Sequence, residues 1–178
     1  GFNIEHFEFG GGLGAKLAPS TEPDVLNFAW RDYGNRVGVW RCLELFDDLK
    51  LPVGVIVNTS LYDYCPEVLA AFRGDSYRWG VEMIGHGHTN AERQCDMPLA
   101  DERALIESCT ARMTREEGTS PRGWLSPWIS ESVHTPDLLA AAGYAYTLNW
   151  CHDDQVMPMR TKSGSLWSVP YPQEVNDI

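Results

Sequence analysis

The stretch from Trp79 to Glu92, WGVEMIGHGHTNAE, places two imidazoles directly after a predicted strand. Val81 to Ile84 is a short, mostly apolar run, and the chain then turns through Gly85-His86-Gly87-His88. Imidazole binds divalent metals and transfers protons near neutral pH, so these side chains are candidates for chemistry. Because binding and catalytic groups collect at the carboxyl ends of parallel strands, His86 is the first candidate for a functional residue.

Other predicted strands also end in polar side chains. Phe2 to Phe9 alternates in the manner of a strand and carries Glu5 and His6 near its end, while the apolar run Val53 to Val57 is followed by Asn58-Thr59-Ser60. The polar trio can also be interpreted as a cap for the next segment. Two further predicted strands, Arg122 to Pro127 and Tyr144 to Trp150, are followed by Trp128 and by Asp153 and Asp154 respectively, and Ser126 lies near the end of the first.

Imidazole and carboxylate groups from separate strands can form a divalent metal site or a general acid/base pair. A catalytic zinc takes about three protein ligands and a water molecule. His6 and His86 are the best ligand candidates, Glu5 is the candidate base, and the third ligand is left open among Asn90, His88, Glu92 and Asp153. Taken singly, a His at a strand end is more often a surface or hydrogen-bonded structural side chain than a ligand. Asp153-Asp154 alone suits a solvated turn.

The elements that position these residues alternate along the chain. Besides the strands above, the pattern predicts a last strand, Ser165 to Val169, and helices over Arg36 to Leu49, Pro66 to Phe72 and Asp101 to Glu117, with a fourth that Thr135 caps and Gly143 ends. Such alternation predicts an α/β fold with a parallel sheet. Since the polar groups follow many different strands, we expect a barrel mouth rather than the single switch point of an open sheet.

The segment from Gly10 to Asn35 shows no steady period, and we predict a loop that forms a lid or a wall of the site. Its glycines, Gly10, Gly11, Gly12 and Gly14, match neither GxGxxG nor GxxxxGK[ST]. A nucleotide-binding loop is therefore disfavoured.

The totals predict one soluble domain over residues 1–178. The formal charge of -11 argues against nucleic acid or an anionic membrane as partner and favours a small-molecule or carbohydrate substrate. No apolar run approaches the roughly 20 residues of a membrane span, and the start lacks a signal-peptide pattern. The five cysteines are scattered and odd in number, which favours reduced thiols and a cytoplasmic location. A homo-oligomer is compatible with the sequence.

Several stretches together resemble a known family. They are DYGNRVGVWR, GHGHTNAERQ, PRGWLSPWISES, TPDLLAAAGYAY, HDDQ and SVPYPQEVNDI, which lie between Asp32 and Ile178. The likeness is to the polysaccharide deacetylase superfamily, and more narrowly to its divergent allantoinase-like and cyclic-imide-hydrolysing branch. It implies a distorted (β/α) barrel and hydrolysis of a non-peptide carbon-nitrogen bond by activated water.

The resemblance also implies roles for residues. The family's first-strand pair falls on Glu5 and His6, and its HxxxH motif starts at His86 but has Asn90 in the second position. The implied site is therefore either a metal, such as zinc, held by His6, His86 and Asn90, or a metal-free one. The family's arginine motif matches Arg122, and its DxxD region falls near Asp153 and Asp154. These residues are predicted to bind substrate, together with Trp124 and Trp128 as walls of the pocket.

Two further expectations follow from positions at which the sequence departs from the family pattern. A leucine-histidine motif of the family is expected beyond Ile178, which predicts that the chain is a fragment of a longer protein. The alternative to an amidohydrolase is a catalytically silent module that binds a carbohydrate or ureide.

Overall fold

The computed structural model describes residues 1–10, 23–172 and 174. The chain divides into two compact units, of which the first comprises Gly1–Met83 and His88–Glu92 and the second comprises Ile84–Gly87 and Arg93–Ile178. Each unit has its own part of a mostly parallel sheet. In the described ranges, none of the helices combines the length and the hydropathy that a membrane span requires.

The first unit is built on strands β1 (Phe2–Ile4) and β2 (Val53–Val57), with β3 (Val81–Gly85) next in order. β1 and β2 are parallel, with Phe2 opposite Val55 and Ile4 opposite Val57. Since β2 is an almost continuous apolar run, both of its faces are covered, and all of its residues but Gly54 are buried. The sequence predicted the bounds of β2 correctly, whereas β1 is shorter than the predicted Phe2 to Phe9.

Helical residues between these strands form one run. It consists of α1 (Val25–Tyr33), a π-helical turn (Gly34–Gly38) and α2 (Val39–Leu49), which packs the ring of Phe46 edge-on against Phe2 at 5.1 Å. Helix α2 agrees with the predicted helix, but the prediction of a loop through Asn35 is wrong for α1. Asn27 is the buried residue of α1, so the helix has no apolar buried stripe that could reveal its period. Residues 11–22 of the predicted loop lie outside the described residues.

Short helical elements lie between β2 and β3 in the first unit. They are α3 (Leu61–Tyr64), α4 (Pro66–Ala71) and a 3-10 turn (Gly74–Ser76). Pro66 occupies the first turn of α4, where a missing backbone N–H costs no hydrogen bond. The ring of Phe72, directly after α4, lies 6.1 Å from that of Phe2.

In the second unit the strand order is the end of β3, then β4 (Gly123–Trp124), β5 (Tyr146–Thr147), β7 (Gly164–Ser168) and β6 (Met157–Thr161). Neighbours are parallel except β6 and β7, an antiparallel hairpin that pairs Met157 with Ser168 and Thr161 with Gly164. Strand β6 was not predicted, because Met157 and Pro158 are exposed and the strand has no alternating apolar face. The predicted α/β class with a mostly parallel sheet is confirmed.

Helices α5 (Leu99–Glu117) and α6 (Thr135–Ala141) cover this part of the sheet, with 3-10 turns at Gln94–Asp96 and Pro127–Ile129. Their apolar residues form a core with Trp124 and Leu166. Helix α5 ends at Glu117, as predicted, and the φ of 74° at Gly118 suits a left-handed C-terminal cap. Thr135 is the first residue of α6 rather than its cap, since His134 precedes the helix.

Candidate functional site

Polar residues follow the strands of each unit, as the sequence predicted. In the first unit Glu5 and His6 follow β1, and Asn58, Thr59 and Ser60 follow β2. In the second unit His86 follows β3, while Ser126 and Asn149 lie two residues beyond β4 and β5. The prediction that Glu5 and His86 act on one water molecule concerns residues of different units and stays a prediction.

His6 is the centre of a hydrogen-bonded group in the first unit. Its backbone N–H donates to Asn58 Oδ1 at 2.8 Å, and its backbone oxygen accepts from the N–H of Asn90 at 2.8 Å. Asn58 Nδ2 donates to Asn90 Oδ1 at 3.2 Å, and His6 Nδ1 lies 3.0 Å from Ser60 Oγ. Ser60 occupies the N-cap position of α3, in agreement with the cap interpretation, but its side chain makes no capping bond to that helix.

The ring of His6 stacks on Tyr64, with centroids 4.2 Å apart and planes 14° apart. Tyr64 in turn donates its hydroxyl hydrogen to Asp32 Oδ1 at 2.5 Å. Burial lowers the pKa of His6 below 6.5, although Glu8 and Asp32 act in the opposite direction. Burial and the bond to Asp32 raise the pKa of Tyr64 to about 12. At neutral pH the imidazole of His6 is therefore uncharged, and it stacks on the un-ionised phenol of Tyr64.

Glu5 lies half-buried in a surface pocket. Its Oε1 accepts from Asn3 Nδ2 at 3.4 Å, and its backbone oxygen accepts from Asn35 Nδ2 at 2.7 Å. The pocket is lined by the three residues after β1 and by residues of the following helical run, namely Glu5, His6, Phe7, Phe28, Arg31, Asp32 and Asn35. Part of the segment that was predicted to form a wall thus lines a pocket, although as a helix.

Two of the predicted metal ligands, His6 and Asn90, lie in the first unit and His86 lies in the second, so a zinc site held by all three stays a prediction. Asn90 Oδ1 accepts a hydrogen from Asn58, and His6 Nδ1 is hydrogen-bonded to Ser60 Oγ, so Nε2 is the nitrogen of His6 that would hold a metal. Among the described residues, there is no group of three or more His, Cys, Asp or Glu side chains that could hold a metal ion. His88 and Glu92, the alternative ligands, are exposed, and His88 Nδ1 lies 3.1 Å from Thr59 Oγ1.

His86 is 1 % exposed, and its Nδ1 lies 2.6 Å from the backbone oxygen of Leu125. A carbonyl oxygen only accepts, so Nδ1 carries the hydrogen and Nε2 is the basic nitrogen of the neutral ring. A fixed tautomer of this kind is what a proton-transfer group or a ligand requires. The sequence predicted the position of His86 but not this bond.

A buried polar chain holds the segment that carries Leu125. Trp124 Nε1 donates to Gln94 Oε1 at 2.9 Å and to Ser126 Oγ at 3.1 Å. Gln94 Nε2 donates to Glu102 Oε1 at 3.3 Å, and the carboxylate of Glu102 also accepts from the hydroxyls of Ser132 and Thr135. Glu102 lies within the predicted helix Asp101 to Glu117, and no local pattern could show that it is 0 % exposed.

The predicted substrate-binding residues of β4 lie in different environments. Trp124 is fully buried in the core of the second unit, so its role is to support the segment rather than to contact a ligand. Arg122 is exposed and precedes β4, which places it at the opposite end of that strand from Ser126. Trp128 is half-buried and has a φ of 61°, which is rare for a bulky side chain. Of the three, Trp128 remains the candidate for ligand contact.

Asp153 and Asp154 lie in an exposed turn between β5 and β6. Asp154 has a φ of 62°, which Asp tolerates better than most residues. The placement agrees with the solvated-turn alternative, and their role in substrate binding stays a prediction.

No family model matches the chain. A peptidoglycan deacetylase of Helicobacter pylori is 25% identical over 146 residues, which are 82% of this chain and 48% of that protein. The crystal structure of PuuE allantoinase matches 94% of this chain with a TM-score of 0.78 and 24% identity. A structure described as a probable polysaccharide deacetylase from Pseudomonas aeruginosa PAO1 gives the same TM-score, 0.78, at 24% identity over 94% of the chain.

The resemblance to the polysaccharide deacetylase superfamily is confirmed. The shared fold explains why polar residues of a polysaccharide-deacetylase-like chain follow successive strands. The chain spans about half the length of the proteins it matches, namely 48% of the curated relative and 55% of each of the two structures.

Proposed function

We propose that this chain is an amidohydrolase that cleaves a non-peptide carbon-nitrogen bond of an amide or cyclic amide with an activated water molecule. The observation that carries the proposal is the carboxylate of Glu5, which directly follows β1 and lines a pocket with His6. Similarity to a peptidoglycan deacetylase and to allantoinase supports this reaction class, with N-deacetylation and ring opening as the two candidate forms.

Glu5 acts as the general base in this proposal. Its carboxylate removes a proton from water while the water oxygen bonds to the carbonyl carbon, and the proton then passes to the departing nitrogen as the carbon-nitrogen bond breaks. The products are a carboxylic acid and an amine, or, for a cyclic imide or ureide, one open chain that carries a carboxylic acid and an amide or ureido group. His86, whose Nε2 is the basic nitrogen, is the candidate for orienting the water or relaying the proton.

The substitution Glu5→Gln tests the base. The amide keeps the size of the side chain but accepts a proton poorly, so we expect turnover to fall by about a hundredfold or more. Substrates are an N-acetylated sugar panel, allantoin and cyclic imides, followed by release of acetate or ammonia or by ring opening. Glu8→Gln is the matched control, because Glu8 is exposed and its substitution removes the same negative charge three residues away from Glu5. Near-normal turnover of Glu5→Gln at an unchanged melting temperature would contradict the assignment.

A silent binding module is the second candidate. It is favoured by the group around His6, where Asn58, Ser60 and Asn90 take up hydrogen-bonding atoms that a catalytic site would offer to substrate. Calorimetric binding of a carbohydrate or ureide by wild-type protein that turns over none of the panel would favour this candidate.

A further inference from the structure

Trp150 is an exposed tryptophan whose orientation is nevertheless fixed. Its indole N–H donates to Glu131 Oε1 at 2.8 Å, and one face of its ring stacks on His152 with centroids 6.0 Å and planes 16° apart. His152 is itself anchored, since its Nε2 lies 2.8 Å from the hydroxyl oxygen of Ser168, a fully buried residue of β7. Trp150 remains 48% exposed, so the indole is held at one edge and on one face while much of its surface meets solvent.

Glu131 connects this indole to the end of β4. Its Oε2 accepts from Asn149 Nδ2 at 2.7 Å, and Asn149 Nδ2 also donates to Ser126 Oγ at 3.0 Å. Asn149 Oδ1 accepts from the backbone N–H of Ser126 at 2.8 Å, which fixes the orientation of the amide. A carboxylate has about four lone-pair positions that can accept hydrogen bonds. The bonds from Trp150 and Asn149 occupy two of these positions on Glu131. The half-buried carboxylate therefore keeps acceptor capacity beside the indole.

The backbone that leads to Glu131 is strained. Trp128 and Ile129 have φ values of 61° and 52°, a conformation that bulky and β-branched residues rarely adopt. Strain of this kind persists where the surroundings enforce it, and it clusters at ligand-binding segments. The segment that presents Glu131 is therefore held in a defined position rather than being a relaxed surface loop.

We propose that Trp150 and Glu131 form a ring-binding subsite in the second unit. An open indole face suits a ring with a flat apolar face, and an adjacent carboxylate suits N–H or O–H donors on the edge of that ring. A pyranose and a cyclic ureide or imide both have this chemistry. The proposal rests on the proposed function only for the choice of probes. An indole that is merely docked on His152 for packing would bind none of them.

Isothermal titration calorimetry tests the subsite with an N-acetylglucosamine trimer, allantoin and succinimide as separate probes. The full chain is used with Glu5→Gln throughout, so that turnover does not consume the probe and a failure of the hydrolytic proposal leaves this experiment intact. Trp150→Ala is compared with Trp167→Ala. Trp167 is the matched control, since it lies in the same unit and is 47% exposed.

We expect at least one probe to bind, with the affinity reduced about tenfold or more by Trp150→Ala and less than about twofold by Trp167→Ala. Trp150→Phe keeps an aromatic face but loses the bond to Glu131, so its affinity is expected to lie between that of the Glu5→Gln parent and that of Trp150→Ala. Binding of the trimer alone assigns the subsite to a pyranose, and binding of allantoin or succinimide alone assigns it to a planar ring. Absence of binding by all three probes, or equal losses for Trp150→Ala and Trp167→Ala, would overturn the proposal.

Discussion

His6 is held in its neutral form by burial, and this has a consequence for stability. Its folded pKa is lowered, so the unfolded chain binds the proton more readily than the folded chain does. The stabilisation that neutral His6 contributes is fully present above the unfolded pKa of about 6.5 and is lost as the pH falls through the lowered folded pKa.

The substitution His6→Asn removes this titrating group. We expect the free energy of unfolding of wild type to decline more steeply than that of the variant as the pH falls from about 7 to about 5. The measurement is denaturant unfolding of both proteins at several pH values. Parallel curves for the two proteins would show that His6 has the same pKa in the folded and unfolded chain.

The sequence predicted which residue types follow the strands, but it could not predict their partners. His86 was placed correctly after a strand, yet its bond to Leu125 joins residues 39 positions apart. Glu102 and Gln94 carried no local sign of function, because their burial depends on Thr135, Ser132 and Trp124, which come much later in the chain. Bonds of this range follow from tertiary packing, which local periodicity does not encode.

Among the elements, β2 was predicted with correct bounds, because a short and nearly continuous apolar run is typical of a strand that is covered on both faces. Helix α1 was missed because Leu26 and Trp30 are 74% and 72% exposed, so its apolar residues do not mark a buried face. The predicted strands around Trp124 and Thr147 are longer than the observed β4 and β5. Beyond β4, the N–H of Ser126 bonds to the side chain of Asn149 rather than to a strand, which a sequence pattern cannot show.

The close approach of β3 and β4 depends on a glycine. Gly85 pairs with Trp124, and a Cβ on Gly85 would lie 2.6 Å from Cε3 of that fully buried ring. Because the indole has no space to retreat into, we expect Gly85→Ala to lower the free energy of unfolding by about 1–3 kcal/mol, the usual cost of overpacking. Thermal or denaturant unfolding measures the effect.

Gly34→Ala is the matched control for that substitution. Gly34 has helical torsions, with a φ of -56°, and a Cβ there meets no atom within 4 Å. Alanine is the better helix former by about 1 kcal/mol, so this variant should be slightly more stable than wild type. A Gly85→Ala protein as stable as Gly34→Ala would contradict the packing argument at β3 and β4.

For the whole molecule, the candidate residues are divided between the two units, with Glu5 in the first and His86 in the second. We propose that His86 assists the step in which Glu5 is the base, and kinetic coupling between the two residues is the measurement that tests this. His86→Asn is the suitable second substitution, because its amide can still donate to the oxygen of Leu125 while the basic Nε2 is removed.

Turnover is compared for Glu5→Gln, His86→Asn and the double variant, with melting temperatures to exclude unfolding. Groups that serve one step are strongly non-additive, because once one is lost the other has little left to assist. We therefore expect the double variant to be about as slow as Glu5→Gln alone. If the two rate losses multiply instead, Glu5 and His86 act independently, and the hydrolytic proposal then needs a different partner for Glu5.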